Sequence, residues 1–308
     1  MRVLITGASG QLGAYLLDRI GSTRHEVIAW SGSTAGHRAD IPLTPLDLAN
    51  IPATLQALEA ADPEVVLHLA ARSRADEVRN NPARAEAINV QATGALAQWC
   101  SRHQRRLVFP STDLVFEGSR PWWREDDPAE PVLAYGRSKR AAEPLVLADP
   151  RHLVARLSLL YGPSRIGKPT FFEATIAAIR AGQSRTLFLD EFRTPLDYDT
   201  AAEALVLLVD RPEIRGLLHV AGTERLSRFD LIQRAAKALG LDASLVLGNH
   251  QIDINSTEPR PADASLDTTR LAATLPNLRR GTIEEVLARC STARFGDDEA
   301  ARLMFDDR

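Results

Sequence analysis

Arg2-Val3-Leu4-Ile5-Thr6-Gly7-Ala8-Ser9-Gly10-Gln11-Leu12-Gly13 follows the first methionine of the chain. Arg2–Thr6 is a run of β-branched and aliphatic residues, the composition of a short buried strand. Gly7, Gly10 and Gly13 come next at i, i+3 and i+6, and the apolar positions then turn helical through Leu12, Leu16, Leu17 and Ile20. Strand, glycine turn and helix in this order is the context a dinucleotide fingerprint requires. Gly7 permits the tight turn. Gly10 lets a pyrophosphate approach N–H groups at the helix N-terminus, and Gly13 lets helix and strand pack closely. A plain βα turn would also use glycine, but position, order and spacing together favour a nucleotide.

The pattern repeats downstream. Strand-like runs lie at residues 26–30, 65–70, 106–110 and 152–157, with helical patterns at 11–20, 51–61, 82–104 and 134–148. Such alternation implies right-handed βαβ crossovers and a parallel sheet covered on both faces, an α/β, Rossmann-type doubly wound fold. Pro52 and Pro82 suit first helical turns, and Asp149-Pro150 marks a stop. After residue 158, Gly162-Pro163, Gly167-Lys168-Pro169 and Arg193-Thr194-Pro195 punctuate shorter elements. A helix over 199–210 and a strand over 217–220 would return to the sheet. The expected organisation is a dinucleotide-binding domain of residues 1–158 with 196–222, and a smaller discontinuous substrate lobe of 159–195 and 223–290. Residues 291–308 alternate acids and arginines and are expected to form a peripheral tail.

With 308 residues the chain can bury a large core. Its formal charge is -3 and no basic block is long enough to follow a nucleic-acid backbone. No apolar run reaches membrane-spanning length, so a cytoplasmic protein with no membrane or nucleic-acid partner is expected. Cys100 and Cys290 are far apart and without metal-ligand spacing, which implies ordinary reduced thiols and no metal site.

Tyr135-Gly136-Arg137-Ser138-Lys139 puts a phenol and an ammonium on one helix face at i and i+4. An ammonium beside a phenol makes it a better acid near neutral pH. Ser111-Thr112-Asp113 follows the strand at 106–110. Ligands of doubly wound sheets bind beyond the carboxyl ends of the strands, so both hydroxyls lie where a substrate carbonyl could sit.

Together these segments resemble the extended short-chain dehydrogenase/reductases, and within them the dTDP-4-dehydrorhamnose reductase branch. The resemblance rests on Thr6 to Gly13, His68-Leu69-Ala70-Ala71, Asn89-Val90, Ser111 to Phe116, Tyr135 to Lys139, Arg193-Thr194-Pro195 and Arg260-Pro261. It implies that Tyr135 protonates a carbonyl oxygen as hydride arrives from a nicotinamide. It implies that Lys139 lowers the Tyr135 pKa and holds the nicotinamide ribose, and that Thr112 fixes the oxygen. The cofactor would lie along Gly7, Ser9, Gly10, Gln11, Leu12, Gly13, Ser31, Asp47, Leu48, Ala70 and Ala71. Asp47 reads equally as an adenine contact or as a loop or N-cap aspartate, and Ala70 and Ala71 equally as tight packing. His68 reads as a core histidine, and Asn89 as a structural residue bonding its helix rather than a catalytic group.

The substrate implied is a nucleotide sugar with a 4-keto group, met by Thr112, Trp122 of the Trp122-Trp123 pair, Arg193 and Arg260. Arginine suits a diphosphate through paired contacts, but Arg193 and Arg260 read also as salt bridges or domain contacts, and the tryptophan pair equally as the anchor of a loop at the lobe interface. The branch commonly carries a tryptophan where this chain has Leu159 and a tyrosine where it has Leu114, so the reaction type is better supported than the substrate. Other small carbonyl compounds remain open, as does a non-catalytic NADP-binding subunit like the β subunit of methionine adenosyltransferase. A homodimer through the helices at 82–104 and 134–148 is also expected.

Cofactor choice follows from the second strand. NAD-specific folds often end it with an acid that binds the ribose 2′-OH. Here Ser31-Gly32-Ser33-Thr34 follows, and no acid appears before Asp40. Ser31, Ser33, His37 or Arg38 could accept a 2′-phosphate, so NADP(H) is expected to be preferred and NAD(H) tolerated.

Overall fold

The computed structural model describes residues 1–254 and 258–294. Strand β1 (Arg2–Thr6) runs through the glycine turn into helix α1 (Gln11–Ile20). Then come β2 (Glu26–Ser31), β3 (Gly36–Arg38), β4 (Ile41–Pro45), α2 (Ile51–Ala61) and β5 (Val65–His68). Helices α3 (Ala75–Asn80) and α4 (Pro82–Glu86) lead into a π-helical turn over Ala87–Ala92, and α5 (Thr93–Arg102) continues from it. After β6 (Arg106–Thr112) come α6 (Ala134–Leu147), β7 (Leu153–Leu157), β8 (Leu160–Tyr161) and α7 (Phe171–Arg180). The chain goes on through β9 (Arg185–Phe188), β10 (Phe192–Arg193), β11 (Leu196–Asp197), α8 (Tyr198–Asp210), β12 (Gly216–Val220) and β13 (Leu226–Ser227). It ends with α9 (Arg228–Ala238), β14 (Val246–Asn249), α10 (Thr269–Thr274) and α11 (Ile283–Arg294).

The main sheet has the order β12-β7-β6-β5-β1-β2-β4-β3. Every pairing in it is parallel except β3 on β4. The chain leaves β1 in one direction through β2 and in the other through β5, which makes the carboxyl ends of β1 and β5 a topological switch point. The loops after those two strands close against each other there, since a Cβ built on Gly7 would lie 2.6 Å from the Ala70 nitrogen.

Helices cover both faces, and the sheet strands are buried accordingly. Ile5, Leu16, Leu17, Leu205 and Leu208 fill the layer under α1 and α8. Leu4, Leu96, Phe109, Ala142 and Val146 fill the layer under α5 and α6. A third apolar cluster joins Phe172 and Ile176 of α7, Leu231 and Ile232 of α9 and Ile283 of α11. Parallel strands β9 and β14 pair beside it.

Several boundaries differ from the sequence reading. The strand begun at Arg106 runs on to Thr112, so Ser111 and Thr112 are its last residues and not a loop after it. The helix expected over 82–104 is interrupted by the π turn. The tail expected from residue 291 begins inside α11, and residues 295–308 lie outside the described residues. Cys100 is a free, buried thiol pushed up to about 12 by burial, while the side chain of Cys290 lies outside the described residues. No described helix is long and apolar enough to cross a membrane, and no cluster of metal-ligating side chains occurs among the described residues.

Candidate active site

The glycine turn leaves a patch of backbone donors uncovered. Gly7 has φ 68°. Gly10 is the N-cap of α1 with no side-chain hydrogen bond. A Cβ on Gly10 would meet only the Gly7 carbonyl, at 3.1 Å, whereas one on Gly13 would lie 2.5 Å from that oxygen. Gly13 is therefore a packing residue. Gly10 keeps the first-turn N–H groups of α1, which have no intrahelical partner, open to an anion. An all-donor set at the positive end of a helix suits a pyrophosphate. Ser9 is half-buried in the turn and Leu12 packs against the core.

The side chain of Gln11 is engaged elsewhere. Its Nε2 donates to the Pro163 carbonyl at 2.9 Å, and its Oε1 accepts from the Ser164 hydroxyl and the Arg165 N–H. Only its backbone faces the turn. Through its side chain Gln11 also ties the loop after β8 to α1.

At the carboxyl end of β2, Ser31 is buried and donates its hydroxyl to the Thr34 carbonyl. Arg38 is not free for a phosphate. It donates to the carbonyls of Ala14 and Arg165 and pairs with Asp18 at 2.7 Å. Asp47 accepts from the Ala49 N–H, and Arg84 at 2.7 Å holds its carboxyl below the usual range. It is not the N-cap of α2, since the side chain that caps that helix is that of Asn50. Leu48 is buried in the apolar layer, while Ala70 and Ala71 are half-buried beside the Gly7 turn.

The hydroxyls at the end of β6 part company, as alternation in a strand requires. Ser111 donates to Glu143 at 2.7 Å and faces the interior, which removes it as a substrate ligand. The Thr112 hydroxyl accepts from the Leu114 N–H and donates to Asp113, both at 3.2 Å. Helix α6 presses onto this turn at Gly136, where any Cβ would collide with the Leu114 carbonyl. That contact brings Tyr135 into the field of Asp113. Burial first, and then the Asp113 carboxylate, push the Tyr135 phenol above its ordinary value, with Arg193 opposing. Lys139 is 2% exposed, and its Nζ sits 3.8 Å from the centroid of the Phe109 ring. Burial pulls its pKa down to about 7 against the attraction of Glu143. Burial thus outweighs any lowering of the Tyr135 pKa in the cofactor-free protein.

Asn89 does more than bond its own helix. Within the π turn its Nδ2 donates to the Arg72 carbonyl and to the Ser138 hydroxyl, both at 2.9 Å, and its Oδ1 accepts from the Arg72 N–H at 2.8 Å. It thus links the loop after β5 to the helix turn between Tyr135 and Lys139. An asparagine inside a long helical pattern, where it has poor propensity, was the available signal. π turns concentrate at functional sites. His68 is a core histidine, held by Thr6 at 2.7 Å and Thr93 at 2.9 Å.

The expected substrate residues divide. Trp122 is 42% exposed with φ 59°, whereas Trp123 is buried and stacks on Phe116 at 4.7 Å. Arg193 is buried, and both arms of its fork close on Asp113. Arg260 holds the buried Glu191 at 2.9 and 3.1 Å, and Arg228 approaches the same carboxylate at 3.6 Å. Neither Arg193 nor Arg260 presents a free fork in this structure; each is held by a buried carboxylate that the tertiary fold supplies, which matches the salt-bridge and domain-contact readings of these two arginines.

Relatives share this architecture. A probable dTDP-4,6-dihydroxy-2-methyloxan-3-one 4-ketoreductase of Streptomyces antibioticus is 32% identical over 89% of this chain and 89% of its own. A dTDP-4-dehydrorhamnose reductase of Mycolicibacterium smegmatis is 31% identical over 88% of this chain and 79% of its own. A methionine adenosyltransferase 2 subunit beta of Xenopus laevis is 30% identical over 88% and 81%. The crystal structure of a dTDP-4-dehydrorhamnose reductase from Clostridium acetobutylicum superposes with a TM-score of 0.83, covering 96% of this chain and 100% of that one at 24% identity, and shares the fold. The RmlD substrate binding domain model matches residues 1–291, and the chain belongs to that family, of extended short-chain dehydrogenase/reductase type.

Proposed function

We propose that this protein reduces the 4-keto group of a nucleotide-activated deoxysugar to a secondary alcohol, with NADPH as hydride donor. One observation carries the reading. The uncovered donor turn after β1, Thr112 at the end of β6, and the α6 face bearing Tyr135 and Lys139 share one edge of a parallel sheet. The names of the 32% and 31% identical relatives support the substrate class.

A nicotinamide dinucleotide bound at the glycine turn supplies the hydride. The Thr112 hydroxyl turns from Asp113 to the carbonyl oxygen and orients it. Tyr135, kept protonated at neutral pH, gives its phenolic proton to that oxygen as negative charge develops there. Solvent then reprotonates the tyrosinate. Lys139 has no hydrogen-bond partner among the described residues and is the free donor for ribose hydroxyls. The missing acid after β2 favours a 2′-phosphate, so NADPH binds more tightly than NADH; equal affinities in a fluorescence titration would refute the preference. Trp122 is the exposed aromatic assigned to the substrate.

The same reading assigns the main sheet to the cofactor and the cluster around α7, α9 and α11 to the substrate, and places the protein in the cytoplasm. A second copy pairs on the α5–α6 face, where Leu145 and Leu147 are 42% and 37% exposed. A monomeric mass by light scattering would contradict that pairing. A regulatory, non-catalytic role is the competing reading, supported by the methionine adenosyltransferase relative. NADPH oxidation in the presence of dTDP-4-keto-6-deoxyhexose by the wild type, lost in Tyr135→Phe, supports the reductase. Cofactor binding with no oxidation supports the regulator.

A further inference from the structure

The chain contains only three lysines, Lys139, Lys168 and Lys237, among 37 basic residues. Nearly every other cation is an arginine, which cannot lose its proton near neutral pH. Lys139 is the one buried lysine of the three and, unlike the arginines around it, is able to titrate. It faces the aromatic ring of Phe109 and has no hydrogen-bond partner among the described residues.

One turn further along α6, on the same face, stands Glu143. It is 1% exposed. It accepts from Ser111 at 2.7 Å and from the fork of Arg156 at 2.9 and 2.8 Å. Arg156 is itself buried on β7. Three charge-assisted bonds thus fasten α6, which carries Tyr135 and Lys139, to β6, which ends in Thr112, and to β7. We infer that Glu143 is a positioning residue: its bonds to Ser111 and Arg156 fix the register of Tyr135 and Lys139 against Thr112, with its carboxylate one helical turn from Lys139. The inference rests on the reductase reading only for its effect on turnover.

The groups facing Lys139 are few. His68 on β5 repels it when charged, but burial drops His68 to about 3 and leaves it neutral. Tyr135 and Glu143 share its helix, Arg156 lies behind Glu143, and the Asp113–Arg193 pair lies beyond Tyr135. Glu143 is the one attraction acting on Lys139 against its burial. An ammonium in so dry a place keeps its charge only with a carboxylate near. Misplacement of the helix by even about 1 Å costs on the order of 100-fold in rate.

The full chain labelled with ¹³C-lysine gives three side-chain signals, and Lys139→Arg assigns the one of interest. Titration of the cofactor-free protein reads the Lys139 midpoint without any substrate. In Glu143→Gln it falls by about one pH unit or more. Glu143→Gln/Arg156→Leu leaves no unpaired buried guanidinium, guards against misfolding of the single variant, and also falls below wild type. A folded variant of either kind titrating at the wild-type midpoint overturns the inference. On the reductase assay, Glu143→Gln lowers kcat more than it raises KM and moves the pH profile with the Lys139 midpoint, and Glu143→Asp restores part of both. An inactive wild type refutes the reductase reading and leaves the titration result standing. An active wild type with an unmoved Lys139 refutes the inference alone.

Discussion

Arg193 grips Asp113 with both arms of its guanidinium, and the pair is buried between the turn after β6 and the short strand β10. Ser158 adds a third bond to the same carboxylate at 2.7 Å. This contact joins the segment that carries Thr112 to the elements beyond the main sheet, and Tyr135 lies in its field.

Breaking one side of that pair leaves an uncompensated buried charge. Asp113→Asn or Arg193→Ala is expected to lower unfolding stability by about 3–5 kcal/mol, whereas Asp113→Leu/Arg193→Met costs much less. Urea denaturation of the three variants checks this. A single variant as stable as wild type would show that the pair carries no load.

The two glycines of the turn should respond differently. Gly7→Ala must hold φ 68° and push a methyl into the Ala70 backbone, so it loses stability, about 1–3 kcal/mol for the conformation alone. Gly10→Ala loses less stability than Gly7→Ala, because its Cβ meets only the Gly7 carbonyl, at 3.1 Å, which must shift by a few tenths of an ångström, but it screens the donors at the α1 N-terminus and weakens NADPH binding. Thermal melts with and without NADPH separate the two. Unchanged affinity in Gly10→Ala would contradict the placement of the pyrophosphate.

Buried bases set the pH dependence of stability. Burial lowers His68 from 6.5 to about 3 and His219 from 6.5 to about 4. Between those values the unfolded chain binds more protons, so stability present above pH 6.5 is lost as the pH falls toward 4, at about 1.4 kcal/mol per unit for each histidine. Lys139 is lowered from 10.5 to about 7. Across that window the unfolded chain again binds more protons, so the Lys139 contribution raises stability with pH. Urea midpoints across a pH series test both, and Lys139→Met should flatten the alkaline rise. Stability that increases on acidification below pH 6 would contradict the histidine assignment.

Much of the sheet was legible because its signals are local. Arg2–Thr6, Gln11–Ile20 and Ile51–Ala61 occur where apolar period, glycine and proline place them. The pairing of β9 with β14 was not, since two short parallel strands far apart in sequence carry no local pattern. Among the site residues, Tyr135 and Lys139 could be paired from spacing and Thr112 was named through the family resemblance, but the partners of Arg193, Arg260, Arg38 and Gln11 could not be read. An arginine fork accepts any carboxylate or carbonyl the fold brings to it, and which one arrives is decided by tertiary packing. Ser111 and Thr112 looked alike until the strand was extended, and its alternation then sent one hydroxyl inward and left the other beside Asp113.

The central claim is that this edge of the sheet delivers hydride and proton to a sugar ketone. NADPH carrying deuterium at the transferable position is incubated with the protein and dTDP-4-keto-6-deoxyhexose, and the sugar is examined by NMR. The account predicts deuterium on the former carbonyl carbon with the wild type and none with Tyr135→Phe. Undeuterated ketone recovered from wild-type protein that binds NADPH and the nucleotide sugar would contradict it.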